Sequence, residues 1–164
     1  MNPAPETCIA IGAQHGEDGG VLRRFYAVRY RTAVPSAFPW DDACFDCVVC
    51  VCDPALARKV AENIALDIVG WNVDWVDTTG EDAEHMHDLI DAASVRIGRQ
   101  NLVGDGNPMT AWHEGAVTIP QIAKSVEFFG AGNEHLLLLV IGDDAHLHAI
   151  VEHVRRVLSE VADK

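Results

Sequence analysis

Acidic and histidine side chains recur in this sequence directly after short apolar runs. They are Asp53, Asp77, the pair His113 and Glu114, and the pair Asp143 and Asp144. Carboxylates and imidazoles act as general acids and bases, and they also ligate hard or borderline cations. The pattern therefore indicates a candidate site in which His113 and Glu114 do acid–base chemistry and the aspartates bind a ligand or a metal.

Each of these residues also has a structural interpretation. Asp53, Asp143 and Asp144 stand where helices should begin, and carboxylates there cap exposed N–H groups and meet the positive end of the helix dipole. His113 has a structural use as the hydrogen-bond partner of a nearby loop. Gly-Ala-Val follows Glu114, so the His-Glu-x-x-His pattern of zinc proteases is absent. We favour the structural interpretation, and no cofactor is predicted.

Apolar patterns indicate the elements that position these residues. Residues 136–141 are consecutive apolar residues ended by Gly142, and no polar residue alternates with them. A strand of a parallel sheet with helices over both faces has this pattern. The helix predicted after it carries its apolar residues at spacings of three and four, which place them on the side that faces the sheet.

Strands and helices alternate along most of the chain. We predict strands over residues 45–52, 71–77, 109–113 and 136–141, with helices that include 54–69 and 118–129. A capping box of Thr78 and Glu81 should begin the helix after residue 77. Alternation of this kind implies parallel strands with right-handed crossovers, whose carboxyl ends gather on one edge of the sheet.

The predicted fold class is therefore α/β. We expect a single domain over residues 1–164, built as a three-layer sandwich around a mainly parallel sheet, flavodoxin-like or Rossmann-like. Residues 45–161 would form the β-α repeats. Residues 7–34 would add an antiparallel hairpin at one edge, because arginines cluster in its second strand and basic side chains suit a sheet edge.

Four of the five cysteines lie between residues 44 and 52. Their spacing partly matches an iron–sulfur motif, but a strand cannot wrap a cluster, so we interpret them as buried thiols. The alternative is that Cys44 and Cys47, which are nearest the preceding loop, form a redox pair. The N-terminus does not read as a secretory signal, which predicts reduced thiols and a cytoplasmic protein.

The charge is strongly negative, with 25 acidic and 12 basic residues. This balance disfavours nucleic acid and anionic membranes and favours a basic protein partner. Residues 60–95 contain no lysine or arginine, and Trp71 and Trp75 should share one face of the strand within them. The candidate partner-binding residues are Trp71, Trp75, Glu81, Asp82, Glu84, Asp88 and Asp91. The alternative is a solubilising acidic face with both tryptophans in the core.

The stretch Pro-Met-Thr-Ala-Trp-His-Glu ends at Glu114 and is followed by a predicted helix and the leucine-rich strand. Residues 107–142 thereby resemble a family of small uncharacterised bacterial proteins with a Met-Thr-x-Trp-His-Glu signature. Gly115 and Ala116 depart from the acidic residue that is usual after the glutamate. The resemblance implies a bacterial, cytoplasmic α/β protein whose hallmark residues are Trp112, His113 and Glu114, and it implies no mechanism.

Two functional hypotheses follow. The first is a non-catalytic protein that neutralises or regulates a basic partner, as immunity proteins do for nuclease toxins. The second is a small-molecule- or metal-binding domain, or a hydrolase-type enzyme, with its site at the strand ends around His113. Both hypotheses are compatible with a homodimer.

Overall fold

Strands and helices alternate in the computed structural model, which describes residues 8–30, 38–40, 43–98, 109–115 and 133–162. The elements in chain order are β1 (Ile9–His15), β2 (Val21–Arg29), β3 (Phe45–Val51), α1 (Pro54–Gly70), β4 (Val73–Gly80), α2 (Ala83–Arg96), β5 (Met109–Glu114), β6 (His135–Ile141) and α3 (Asp144–Ala162). The helix predicted over residues 118–129 lies outside the described residues.

The strands form one six-stranded sheet in the order β1-β2-β6-β3-β4-β5. All neighbours are parallel except β1, which runs antiparallel to β2. The α/β class with a mainly parallel sheet is therefore confirmed. The five parallel strands have the order 1-5-2-3-4 by their sequence in the chain. This differs from the flavodoxin order 2-1-3-4-5 and from the Rossmann order, because β6 enters between β2 and β3.

The predicted edge hairpin is only partly correct. β1 and β2 do pair antiparallel, but β2 also runs parallel to β6 inside the sheet. The arginines of β2 are not edge residues, because Arg23 is buried in an ion pair with Asp46 and Arg29 forms an ion pair with Asp144. Arginine was therefore a misleading sign of an edge, since its charge is compensated inside the fold.

The core lies on both faces of the sheet. Side chains of β3 and β6 alternate between a cluster under α1 and α2, the α1/α2 face, and a cluster under α3, the α3 face. Every residue from Leu136 to Ile141 is fully buried, as the unbroken apolar run predicted. Within the described ranges, no helix has the length and apolar character that crossing a membrane requires.

Helix α1 begins as predicted, whereas α2 begins later. Asp53 caps α1 through its carboxylate, which accepts a hydrogen bond of 2.9 Å from the Leu56 N–H. The predicted capping box at Thr78 is wrong, because β4 continues to Gly80 and α2 starts at Ala83. Two β-branched threonines extend the strand beyond Asp77, which therefore lies inside β4 rather than at its end.

Candidate functional site

The carboxyl ends of the neighbouring strands β3 and β6 form a topological switch point of the sheet. Helix α1 follows β3 on one face of the sheet, and α3 follows β6 on the other. Asp53 and Asp143 both lie at this edge, and both are helix caps. The Asp143 carboxylate accepts a hydrogen bond of 2.9 Å from the His146 N–H and contacts His146 Nδ1 at 2.7 Å. The hydrogen bond from the His146 backbone lowers the pKa of Asp143, and its imidazole acts in the same direction.

Protein atoms fill the space between these two strand ends. The Cys52 and Asp53 N–H groups both donate to the Ile141 carbonyl, at 3.0 and 2.9 Å. A methyl group on Gly142 would lie 3.1 Å from Cys52 Cβ and 3.1 Å from His146 Nδ1. The capping interpretation of Asp53 and Asp143 therefore fits this edge better than ligand binding.

We expect Gly142→Ala to lower the free energy of unfolding by about 1–3 kcal/mol, because the added methyl overpacks this contact. Gly70→Ala is the matched control. A methyl group there meets nothing within 4 Å, and alanine at the end of α1 should be neutral or stabilising. Urea unfolding of both variants measures the difference, and equal effects would show that the close approach is not restrictive.

Asp144, which was predicted to bind a ligand or a metal, forms an ion pair with Arg29. Its carboxylate contacts Arg29 Nη1 at 3.0 Å, which ties the first turn of α3 to the end of β2. Within the described residues, no three His, Cys, Asp or Glu side chains converge as a metal site requires.

Asp77 and His113 meet on the neighbouring strands β4 and β5. The Asp77 Oδ2 and His113 Nε2 atoms are 3.4 Å apart, and the side chains are 1% and 56% exposed. His113 is the register partner of Thr79, whose buried hydroxyl has no hydrogen-bond partner among the described residues. A buried carboxylate therefore faces a half-exposed imidazole, a pair that can orient a ring nitrogen for acid–base chemistry.

The predicted single site divides into two places. Strand β4 separates β5 from β3, and β3 separates β4 from β6, so His113 lies about 10 Å or more from the end of β3. Asp53 and Asp143 are therefore not partners of His113. The side chain of Glu114 lies outside the described residues, and its backbone is the register partner of Gly80.

The cysteines lie in different environments within β3 and its neighbours. Cys47 and Cys50 are fully buried on opposite faces, and burial raises the pKa of both thiols. Burial also raises the pKa of Cys8 and of Cys52 to about 11. Cys44 is exposed, and none of the five forms a disulfide. Cys47 is therefore a poor redox partner for Cys44.

With a thiol reagent such as dithionitrobenzoate at pH 8, we expect one fast-reacting cysteine in the folded protein. Cys44 should be that residue, because thiolate formation and access limit the other four. Cys44→Ser should remove the fast phase, and Cys52→Ser should leave it unchanged. Two fast thiols, or a fast phase that survives Cys44→Ser, would contradict this assignment.

The tryptophans predicted to anchor a partner lie apart. Trp71 follows α1 and packs on the α1/α2 face, where its ring centroid is 5.1 Å from that of Phe38. Trp75 lies in β4 and packs on the α3 face. The prediction that they share one face is wrong, because β4 begins only at Val73 and Trp71 precedes it.

The acidic residues between positions 60 and 95, where the sequence has no lysine or arginine, differ in their exposure and in their ion pairs. Arg58 donates two hydrogen bonds of 2.6 and 3.1 Å to Asp82. Hydrogen bonding from Arg58 lowers the pKa of Asp82. Glu81 is exposed in the turn before α2. Asp82 is therefore compensated by Arg58, a base just outside residues 60–95. The side chains of Asp88 and Asp91 are 71% and 52% exposed.

Glu84, Asp88 and Asp91 lie one turn apart along one side of α2. The Thr110 hydroxyl of β5 donates to Asp91 at 2.8 Å and lies 3.0 Å from His87 Nε2. We call Glu84, Asp88, Asp91 and Trp112 the edge surface.

Trp112 is the exposed aromatic residue of the edge surface. Its ring centroid lies 4.4 Å from that of His87, and 44% of the residue is exposed. His87 in turn contacts Asp88 at 3.3 Å, so the ring is held beside the carboxylates. Sequence reasoning named Trp112 only as a family hallmark. Its alternation with His113 was the signal that the two side chains point to opposite faces.

No curated protein matches this sequence. A family model described as a domain of unknown function, DUF7684, matches residues 25–157 and so includes the whole stretch, 107–142, for which a family of uncharacterised proteins was predicted. The match covers more than half of the chain, and it agrees with that prediction at the level of an uncharacterised domain family. The chain therefore belongs to the DUF7684 family.

Proposed function

We propose that this chain is a cytoplasmic, non-catalytic interaction protein, immunity- or regulator-like, that binds a basic protein partner through the edge surface. The observation that carries the proposal is the exposed Trp112 ring packed on His87, whose two ring nitrogens contact the carboxylates of Asp88 and Asp91. The net charge of −13 supports the same sign of partner.

An exposed tryptophan next to carboxylates suits a basic partner for two reasons. Tryptophan is the residue most enriched among binding hot spots, because it buries a large rigid area at little cost in entropy. An arginine or lysine of the partner can lie over the indole face while its charge meets a carboxylate. Asp88 is 71% exposed, so its carboxylate is accessible to a basic partner during the encounter.

The test uses a twenty-residue poly-lysine as the basic probe, with binding followed by biolayer interferometry. We expect Asp88→Lys to weaken binding about tenfold and to slow association, because the charge lies at the contact. Glu160→Lys is the matched control, since Glu160 is exposed on α3, the helix on the opposite side of the sheet from α2. Equal losses in the two variants would mean that only total charge matters, which would contradict the proposal.

Trp112→Ala separates the aromatic contribution from the charge. We expect it to weaken binding severalfold with little change in salt dependence, whereas Asp88→Lys should reduce the salt dependence. A Trp112→Ala variant that binds like the wild type would remove the aromatic anchor from the proposal.

A second candidate function is an acid–base site formed by Asp77 and His113, as in a small-molecule-binding or hydrolase-type protein. The specific support is the 3.4 Å contact between a buried carboxylate and a half-exposed imidazole. A thermal-shift screen against nucleotides and divalent cations tests it. A stabilisation that His113→Ala abolishes and that the exposed-residue control His15→Ala preserves would favour this candidate over the first.

A further inference from the structure

The two edges of the sheet are built differently. At one edge, β1 has register irregularities between Ala10 and Gly12 and between Gln14 and His15, and α3 packs beside it. Bulges are one of the usual means of preventing a sheet edge from pairing with another chain. Strand β1 is therefore a protected edge.

Strand β5 is the other edge strand of the described sheet. Helix α2 packs beside it as α3 packs beside β1, but the pairing of β5 with β4 has none of the register irregularities of β1. Its register with β4 is regular from Trp75–Met109 to Gly80–Glu114. The sequence Met-Thr-Ala-Trp-His-Glu contains no lysine, arginine or proline, the residues that discourage strand addition. In the part of the chain that the structure describes, no strand pairs with the outer side of β5.

The side of α2 that carries Glu84, Asp88 and Asp91 meets this edge at Asp91. Thr110 and Trp112 of β5 contact α2 through Asp91 and His87. Residues four apart on a helix rise by about 6 Å, close to the roughly 6.7 Å between alternate residues of a strand. A strand added beside β5 can therefore place alternate side chains along Glu84 and Asp88.

We propose that β5 accepts an additional β-strand from the partner, a segment with lysine or arginine at alternate positions. This inference rests on the proposed function and adds the form of the partner to it. Backbone hydrogen bonds to the outer side of β5 supply affinity, and the alternate basic side chains meet the carboxylates of α2 beside Trp112. The occupant is not a second copy of this chain, because β5–β5 pairing would bring two rows of α2 carboxylates together.

The experiment uses three short peptides that contain alternating lysine and valine. One is unmodified, and the other two carry backbone N-methyl groups on alternate residues, in the two possible registers. N-methylation removes the hydrogen-bond donors of one peptide edge while it keeps charge and composition. We expect the unmodified peptide to bind, one methylated register to weaken binding at least tenfold, and the other register to weaken it by less than threefold.

Four outcomes decide between the proposals. Equal binding of all three peptides, with the loss still seen in Asp88→Lys, would overturn strand addition and leave the edge surface as the binding site. Binding that Asp88→Lys does not affect would overturn the proposed function as well. Sedimentation that shows a concentration-dependent dimer, abolished by the unmodified peptide, would show that β5 pairs with a second copy of this chain. That result would overturn the inference that the added strand comes from a basic partner. Monomer behaviour together with register-specific methylation loss would support the inference.

Discussion

Arg23→Met should lower the free energy of unfolding by about 3–5 kcal/mol at pH 7, because it leaves the Asp46 carboxylate buried without its cation. Arg23 Nη2 and Asp46 Oδ2 are 3.5 Å apart and both side chains are buried. Among the described residues, the side-chain hydrogen bond that remains is the one of 2.8 Å from Asn133 Nδ2 to Asp46 Oδ1, which compensates one carboxylate oxygen. Urea unfolding monitored by circular dichroism measures the loss.

The destabilisation should become smaller as the pH falls. Burial raises the pKa of Asp46 above its unfolded value, and the charge of Arg23 acts in the opposite direction. Without Arg23 the folded-state pKa rises further, so the folded form binds a proton more tightly than the unfolded chain. Stability is then lost as the pH rises from the unfolded pKa of about 3.9 through the raised folded value. The difference between variant and wild type should therefore be smaller at pH 5 than at pH 7.

Arg24→Met is the matched control for this variant. Arg24 is the next residue in β2 and forms an ion pair of 2.8 Å with Glu134, but both side chains are about half exposed. Exposed pairs of this kind contribute about 1 kcal/mol or less. If both arginine variants lost similar stability, the buried position of the Arg23 pair would not be the cause.

Leu138→Ala should lower the free energy of unfolding by about 3–5 kcal/mol, because it opens a cavity in the centre of the sheet. Leu138 is fully buried on the α3 face, between Ala27 of β2 and Val48 of β3. Two neighbouring strands and a helix hold its surroundings in place, so the cavity cannot collapse easily. Chemical denaturation at 25 °C provides the measurement.

Leu22→Ala makes the same change of side chain on an exposed position of β2. Leu22 is 56% exposed, and its truncation should change stability by less than about 0.5 kcal/mol. A loss below about 1 kcal/mol for Leu138→Ala would contradict this expectation, because it would mean that the centre of the sheet relaxes to fill the cavity.

Features that depend on local spacing could be predicted from the sequence. The unbroken apolar run predicted the buried strand β6, and the Asp53-Pro54 pair predicted the start of α1. These signals succeed because a strand buried on both faces and a helix cap each need particular side chains within a few residues. The same reasoning favoured capping for Asp53 and Asp143, which the hydrogen bonds bear out.

Features that depend on distant partners could not be predicted. The parallel pairing of β2 with β6 joins Arg24 to His135, and nothing local in β2 specifies that neighbour. The compensation of Asp82 by Arg58 needed the position of α1 relative to α2. Asp77 was placed at a strand end because Thr78 was interpreted as a helix cap and not as a β-branched strand residue. Its contact with His113 followed only from the observed register.

The late entry of β6 has a consequence for synthesis of the chain. β6 follows β5 in the sequence but lies between β2 and β3, so the nascent chain holds two separated pieces until residues 135–141 leave the ribosome. The hairpin of β1 and β2 is one piece, and β3, β4 and β5 form the other. Each piece presents an unpaired apolar strand toward the missing neighbour, which is a template for aggregation. Chaperone binding during translation should therefore be strongest just before β6 emerges.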